Sequence, residues 1–191
     1  MSIGKKMTFW ELISSSNIDS IEIPPIQRDY VQGRHTPQVE YSRGRLLTEI
    51  KEALLSENLL DLNFVYGKDV NKVFVPIDGQ QRLTTLLTLH IYAFAKENKS
   101  AELNVLKNKF TYRTRTTTQR FLEELIDNIA MFFDQQENDI VLFIKDSAWY
   151  SAEWNKDPSV NSFIVVLNDI DQQFRTMENL SDKLMDSNCT V

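Results

Sequence analysis

Cysteine is almost missing from this chain of 191 residues; Cys189, near the end, is the one thiol. A lone cysteine builds neither a disulfide framework nor a Cys-based zinc site, and its scarcity fits a reducing compartment. No stretch approaches ~18 uninterrupted apolar residues, and no apolar signal core follows Lys5-Lys6. The chain is therefore expected to have no membrane span and no export signal, and to be cytoplasmic. Histidine is also scarce, with His35 and His90 far apart in sequence. Positive charge is in deficit, and the net charge of −6 argues against indiscriminate duplex binding.

What charge there is lies unevenly. Residues 1–120 hold 17 Lys and Arg against 13 Asp and Glu, whereas residues 121–191 hold 4 against 14. That pattern fits an anion-binding part joined to an acidic helical part, and equally a plain solvated acidic surface. The length suits one domain with a real core, with or without a helical appendage.

The stretch Phe74-Val75-Pro76-Ile77-Asp78-Gly79-Gln80-Gln81-Arg82-Leu83 organises the rest. A β-prone run reaches Asp-Gly, and Leu83, Leu86, Leu87, His90, Ile91 and Phe94 then recur at helical spacing, so a strand is predicted to hand over to a helix at Asp78-Gly79. The first turn of a helix leaves amide N–H groups without internal partners and carries the positive end of the dipole. Gly79 to Arg82 thus form a candidate phosphate site, with Arg82 adding a fixed charge. The same residues also read as a tight turn in which Asp78 caps a buried helix and both glutamines face water.

Elsewhere, Thr8-Phe9-Trp10-Glu11 has the form of a capping box opening a short helix. Ile21-Glu22-Ile23 before Pro24-Pro25 reads as a strand leaving the sheet at an edge. Next come Ile26-Gln27-Arg28-Asp29-Tyr30-Val31-Gln32-Gly33-Arg34, a loop whose mixture suits an anion beside a flat ring, or simply a polar surface. His35 follows in a polar context and is expected to be solvated; His90, on an apolar stripe, is expected in the core. An amphipathic helix is predicted from Val39 to Leu60, with Arg43 and Arg45 facing either the anion or water. A hairpin is predicted from Phe64 to Ile77 with its turn at Lys68-Asp69-Val70-Asn71.

Phe110 to Arg115 alternates as a strand that places Arg113 and Arg115 before another helix, solvent being their alternative. Trp149, Tyr150 and Trp154 are expected to pack between helices. Asp157-Pro158 reads as a helix start, and after Met177 the sequence looks like a polar tail. The predicted organisation is a core over 1–100, a mainly helical extension over 101–177 and a tail over 178–191.

Two motifs carry a family likeness. Ile23-Pro24-Pro25-Ile26-Gln27-Arg28-Asp29-Tyr30 with Gly33-Arg34, and Val75-Pro76-Ile77-Asp78-Gly79-Gln80-Gln81-Arg82-Leu83-Thr84-Thr85-Leu86, closely resemble the family of unknown function numbered 262. That family is the N-terminal domain of GmrSD-type modification-dependent restriction proteins in bacterial phage defence. Phe64-Val65-Tyr66-Gly67 fits its intervening strand. The resemblance implies an α+β fold similar to the ParB/sulfiredoxin group, a small mixed sheet with packed helices and a mainly helical C-terminal part. It also implies binding, and possible hydrolysis, of a nucleoside triphosphate that gates DNA cleavage elsewhere. Longer relatives often carry a His-Asn-His-type nuclease, for which this chain has no motif, so the resemblance implies a nuclease effector domain or subunit as a partner, together with modified or phage DNA.

On this reading Gly79, Arg82, Gln27, Arg28, Tyr30 and Arg34 are the expected nucleotide-binding residues, with Tyr30 stacking on the base. Arg28 and Arg82 would neutralise phosphate charge, Gln80 or Gln81 would orient an attacking water, and Asp78 would hold Mg2+ or cap the helix. The other readings are a non-catalytic DNA-binding module, in which Arg43, Arg45, Arg113 and Arg115 join the loop arginines on phosphates, and a remnant without its effector.

Overall fold

The computed structural model describes residues 6–24, 29–56, 58–62, 65–112, 116–186 and the backbone of 189–190. Gln27, Arg28, Arg113 and Arg115 lie outside the described residues. The fold is α+β, a small mixed sheet wrapped by helices.

Helix α1 (Phe9–Ser14) begins at the expected capping box: Thr8 Oγ1 accepts from the Glu11 amide at 3.0 Å and Glu11 Oε2 accepts from the Thr8 amide at 2.8 Å. Strand β1 (Ser20–Ile23) follows, burying Ile21 and Ile23 on one face. After α2 (Pro37–Ser56) and the short β2 (Leu60–Asp61), strands β3 (Tyr66–Val70) and β4 (Val73–Asp78) form a hairpin. Its turn is Asn71-Lys72, both at positive φ (54° and 64°), so Lys68, Asp69 and Val70 belong to the strand, not to the predicted turn. Two consecutive left-handed residues match the twist of a two-residue hairpin, which a four-residue polar turn would not.

Beyond α3 (Gln80–Lys96) and α4 (Ser100–Lys109), strand β5 (Phe110–Tyr112) completes a sheet of order β3-β4-β1-β5. β1 runs parallel to both β4 and β5, and β3 is antiparallel to β4. Ile21-Glu22-Ile23 is thus an interior strand and not the edge strand predicted from Pro24. Pro24 lies just past the last ladder residue, where its missing N–H costs no sheet bond. The fourth strand comes from beyond residue 100, so the sheet draws on both the expected core and the expected extension.

Helix α3 is buried continuously from Leu83 to Ala95. Being apolar around most of its circumference, it has to be enclosed, and the remaining helices enclose it. These are α5 (Thr116–Asn128), α6 (Ala130–Asp134), α7 (Ile140–Asp146), α8 (Pro158–Phe174) and α9 (Leu180–Met185), with a 3-10 turn at Ala152–Lys156. Asp157 starts α8 as predicted, accepting from the Ser159 and Val160 amides at 2.8 and 3.3 Å. Trp149, Tyr150 and Trp154 cluster with Phe121 as expected. Residues 178–186 are no free tail. Leu180 and Leu184, one turn apart, are buried, and β6 (Cys189–Thr190) pairs with β2. A six-residue helix needs only two apolar side chains on one face, too few to register as a period. Among the described residues no helix is long and apolar enough to cross a membrane.

Candidate functional site

β4 delivers the chain to Gly79, the N-cap of α3, at φ +85°. A Cβ there would come within 2.7 Å of Val65 Cγ2, so both backbone and space demand glycine. The first internal helix bond runs from the Leu83 amide to the Gly79 carbonyl at 2.9 Å, and no side chain caps the helix. The amides of Gln80, Gln81 and Arg82 therefore precede the internal ladder, as the strand-to-helix reading predicts. Asp78 is exposed at the end of β4, opposite Tyr66, and does not serve as the cap.

The two glutamines hold the chain. Gln80 is buried, and its Nε2 donates to the Pro76 carbonyl at 2.9 Å, closing the turn on itself. Gln81 Nε2 donates to the Asp29 carbonyl at 3.0 Å, while its Oε1 accepts from the Val31 amide at 3.0 Å. Both polar atoms of the Gln81 carboxamide, and the Nε2 of Gln80, are thus committed to backbone groups. Arg82 is half-buried, and its Nη1 donates to the Leu62 carbonyl at 2.9 Å.

Tyr30 departs furthest from expectation. It is 2% exposed, its hydroxyl shares a 2.8 Å hydrogen bond with Thr85 Oγ1, and its ring lies 5.0 Å from that of Phe163. Burial pushes the phenol well above its ordinary range, the hydrogen bonding only partly offsetting it. A ring enclosed in this way cannot stack on a base, so Tyr30 is a core anchor for the loop. Its amide donates to Ser159 Oγ at 3.2 Å, and Gly33 sits so close to α8 that a side chain would overlap the Ser162 backbone. Arg34 is exposed beyond a turn closed by its amide on the Val31 carbonyl at 3.0 Å.

The strand ends converge. Ile23 of β1 and Tyr112 of β5 are register partners, and both strands run parallel to β4, so their carboxyl ends open on the same side of the sheet as Gly79. Tyr112 Oη is 2.7 Å from Thr84 Oγ1, joining the end of β5 to the first turns of α3. Asp157 ties in α5, its Oδ2 accepting from Thr117 Oγ1 at 2.5 Å and Thr118 Oγ1 at 3.0 Å. Burial opposes ionisation of Asp157, but these hydroxyls and the α8 amides outweigh it and hold the carboxyl below its usual value. In open sheets of this kind, crevices at the carboxyl ends of parallel strands are the usual binding places.

Of Arg43 and Arg45, which the DNA-binding reading places on phosphates, Arg43 is turned inward and Arg45 lies at the surface. Arg43 is 5% exposed, with Nε on Asp169 Oδ2 at 2.5 Å and Nη1 on the Gln32 carbonyl. A guanidinium enclosed by that pair cannot track a DNA backbone. Arg45 is exposed and paired with Glu49 at 2.7 Å along the helix. His35, exposed, meets Glu40 at 3.1 Å, and His90 is buried as predicted. Among the described residues, no group of three or more His, Cys, Asp or Glu side chains gathers as a metal site. Sequence reading missed Thr84, Thr85 and Ser159, and read Asp157 only as a helix start. Adjacent threonines inside an apolar helical stripe were the available signal, since buried hydroxyls need partners.

The molecule is thus an α+β domain built on a parallel strand pair whose carboxyl ends lead into a polar loop and an uncapped, glycine-started helix. The chain belongs to the GmrSD restriction endonuclease N-terminal domain family, which matches residues 9–189. No curated protein and no solved structure matches it. Membership sets it in a GmrSD-type restriction system, supporting a role in phage defence with DNA and a nuclease effector domain as the implied partners.

Proposed function

We propose that this chain is the nucleotide-binding sensor domain of its restriction system, holding the phosphates of a nucleoside triphosphate at the β4–α3 junction. The observation that carries the reading is the uncapped first turn of α3, begun by a glycine in left-handed conformation beside Arg82. Amide N–H groups and the helix dipole there favour an anion, and the guanidinium adds charge and directional donors. The neighbouring loop, braced by Gln81, Ser159 and Tyr30, brings the first motif alongside.

A Mg2+ ion arriving with the phosphates would be met by Asp78. A single carboxylate suffices where phosphates and water complete the shell. The ion would supply charge neutralisation. Binding has identifiable donors in this arrangement. For hydrolysis, Gln81 has both carboxamide atoms engaged with backbone, whereas Gln80 has its Nε2 engaged.

Calorimetry with ATP, GTP and Mg2+, paired with thermal unfolding, tests the reading. Wild type is expected to bind one nucleotide and melt higher with it. Arg82→Ala should lose that shift while still unfolding cooperatively, and Arg82→Lys, which keeps charge but not the fork, should retain part of it. Undiminished binding in Arg82→Ala, or no binding by wild type with any nucleotide, rules the site out.

A further inference from the structure

We propose that the groove between α6 and α7, on the acidic half of the chain, is the docking site for a basic amphipathic helix of a partner protein. None of its residues belongs to the β4–α3 junction, so the inference stands apart from the nucleotide reading.

The sequence places five apolar residues in succession, Ile140-Val141-Leu142-Phe143-Ile144, on a helix of seven. Such a helix can turn only one side inward. Ile140 and Ile144, one turn apart, are fully buried, while Leu142 is left 57% exposed, and Met131 on α6 is 38% exposed. Between them opens a cleft of about 680 Å³ walled by Met131, Leu142, Phe143, Trp149, Glu137 and Asp146. That volume takes several side chains, as peptide and small-ligand pockets do.

Charge selects the occupant. Glu137 and Asp146 are both exposed, and among the described residues no lysine, arginine or histidine lines the cleft. Lys145 faces a different cavity, beside Arg43 and Asp169, and Arg175 is engaged with Asp171 and the Asn138 carbonyl. Carboxylates around an apolar floor repel nucleic acid and favour Lys or Arg flanking apolar anchors. A second copy docked by the same face would set Glu137 and Asp146 against their own kind, which disfavours self-association.

Trp149 belongs to the wall of the cleft. Its N–H is buried with no acceptor among the described residues, and its ring is packed 6.3 Å from Trp154 and 6.4 Å from Phe121, so it cannot simply swing into water. An occupant of the cleft would lie against that residue.

The probe is a labelled 15-residue peptide with leucine at i, i+3, i+4 and i+7 and lysine elsewhere, titrated into the full chain by fluorescence anisotropy. A scrambled peptide of the same composition and a version with glutamate for lysine serve as comparisons. Saturable binding at least about tenfold tighter than the scrambled peptide is expected, with none for the glutamate version. Leu142→Lys, and separately Glu137→Lys with Asp146→Lys, change exposed side chains and should each weaken binding about tenfold or more without altering the fold. The Trp149 indole N–H resonance should shift on binding. Equal binding of the scrambled peptide, or undiminished binding by Leu142→Lys, overturns the proposal. So does dimerisation of the chain that Leu142→Lys abolishes, since the occupant would then be a second copy.

Discussion

The side-chain amide of Gln81 brackets Tyr30, donating to the carbonyl of Asp29 and accepting from the amide of Val31, both at 3.0 Å. One carboxamide thereby imitates a neighbouring strand and fastens the first motif to the second across about fifty residues of chain. Without it the half-buried Val31 amide would lose this acceptor.

Gln81→Ala should therefore destabilise the fold by about 1–3 kcal/mol, the cost of leaving such groups unsatisfied. Gln81→Glu keeps an acceptor for Val31 but cannot donate to Asp29, and it adds negative charge beside the helix start. Both variants should lower the urea midpoint with little change in slope. Gln81→Glu should bind ATP or GTP more weakly than Gln81→Ala if phosphates occupy the α3 N-terminus.

Gly79→Ala tests the turn itself. At φ +85° an alanine costs about 1–2 kcal/mol in backbone strain, and its methyl would press on Val65. A loss larger than that strain alone, measured by chemical unfolding, is the expected outcome. Little or no loss would mean that the junction rearranges freely.

His90 supplies a pH signature. Its Nδ1 lies 2.8 Å from the Leu86 carbonyl, which can only accept, so Nδ1 carries the proton of the neutral ring. Burial lowers the pKa from 6.5 to about 4, the carbonyl hydrogen bond opposing it. The folded state then binds fewer protons than the unfolded one between those values. Stability from the neutral ring is complete above pH 6.5 and drains away as pH falls toward 4, by on the order of 3 kcal/mol. His90→Gln, which keeps a donor for Leu86 but does not titrate, should flatten the wild-type slope across that window.

Arg43 and Arg45, two residues apart, should behave oppositely. Arg43→Ala strands Asp169 and the Gln32 carbonyl and should cost about 2–4 kcal/mol, below the full penalty for a buried pair because Asp169 is 25% exposed. Arg45→Ala removes a surface pair with Glu49 and should change stability by less than about 1 kcal/mol. Denaturant curves of the two variants, side by side, decide this.

Much of the fold was readable from residues 8–14, 79–96 and 157–174, where local signals agree with the tertiary outcome. The capping box at Thr8, the handover at Gly79, the enclosed helix after it and the Asp157 cap all depend on neighbours within a few positions, so short-range chemistry specifies them. The site was less legible because its side chains act over distance. Tyr30 looks like a surface ring in its polar loop, yet it sits against Phe163, more than a hundred residues away. Gln80 and Gln81 look solvated, but their partners are carbonyls and amides that no side-chain pattern encodes. Arg43 follows the same logic, its carboxylate partner lying on α8.

Composition and periodicity alone established a chain of strands and helices without a disulfide framework, centred on one apolar helix after Asp-Gly, and uneven in charge. Only packing decided that β1 is interior, that residues 180–185 close the helical shell, and that Tyr30 and Arg43 turn inward. The reason is that capping, turns and apolar period are properties of adjacent residues, whereas the enclosure of a side chain depends on which distant surface the chain brings against it.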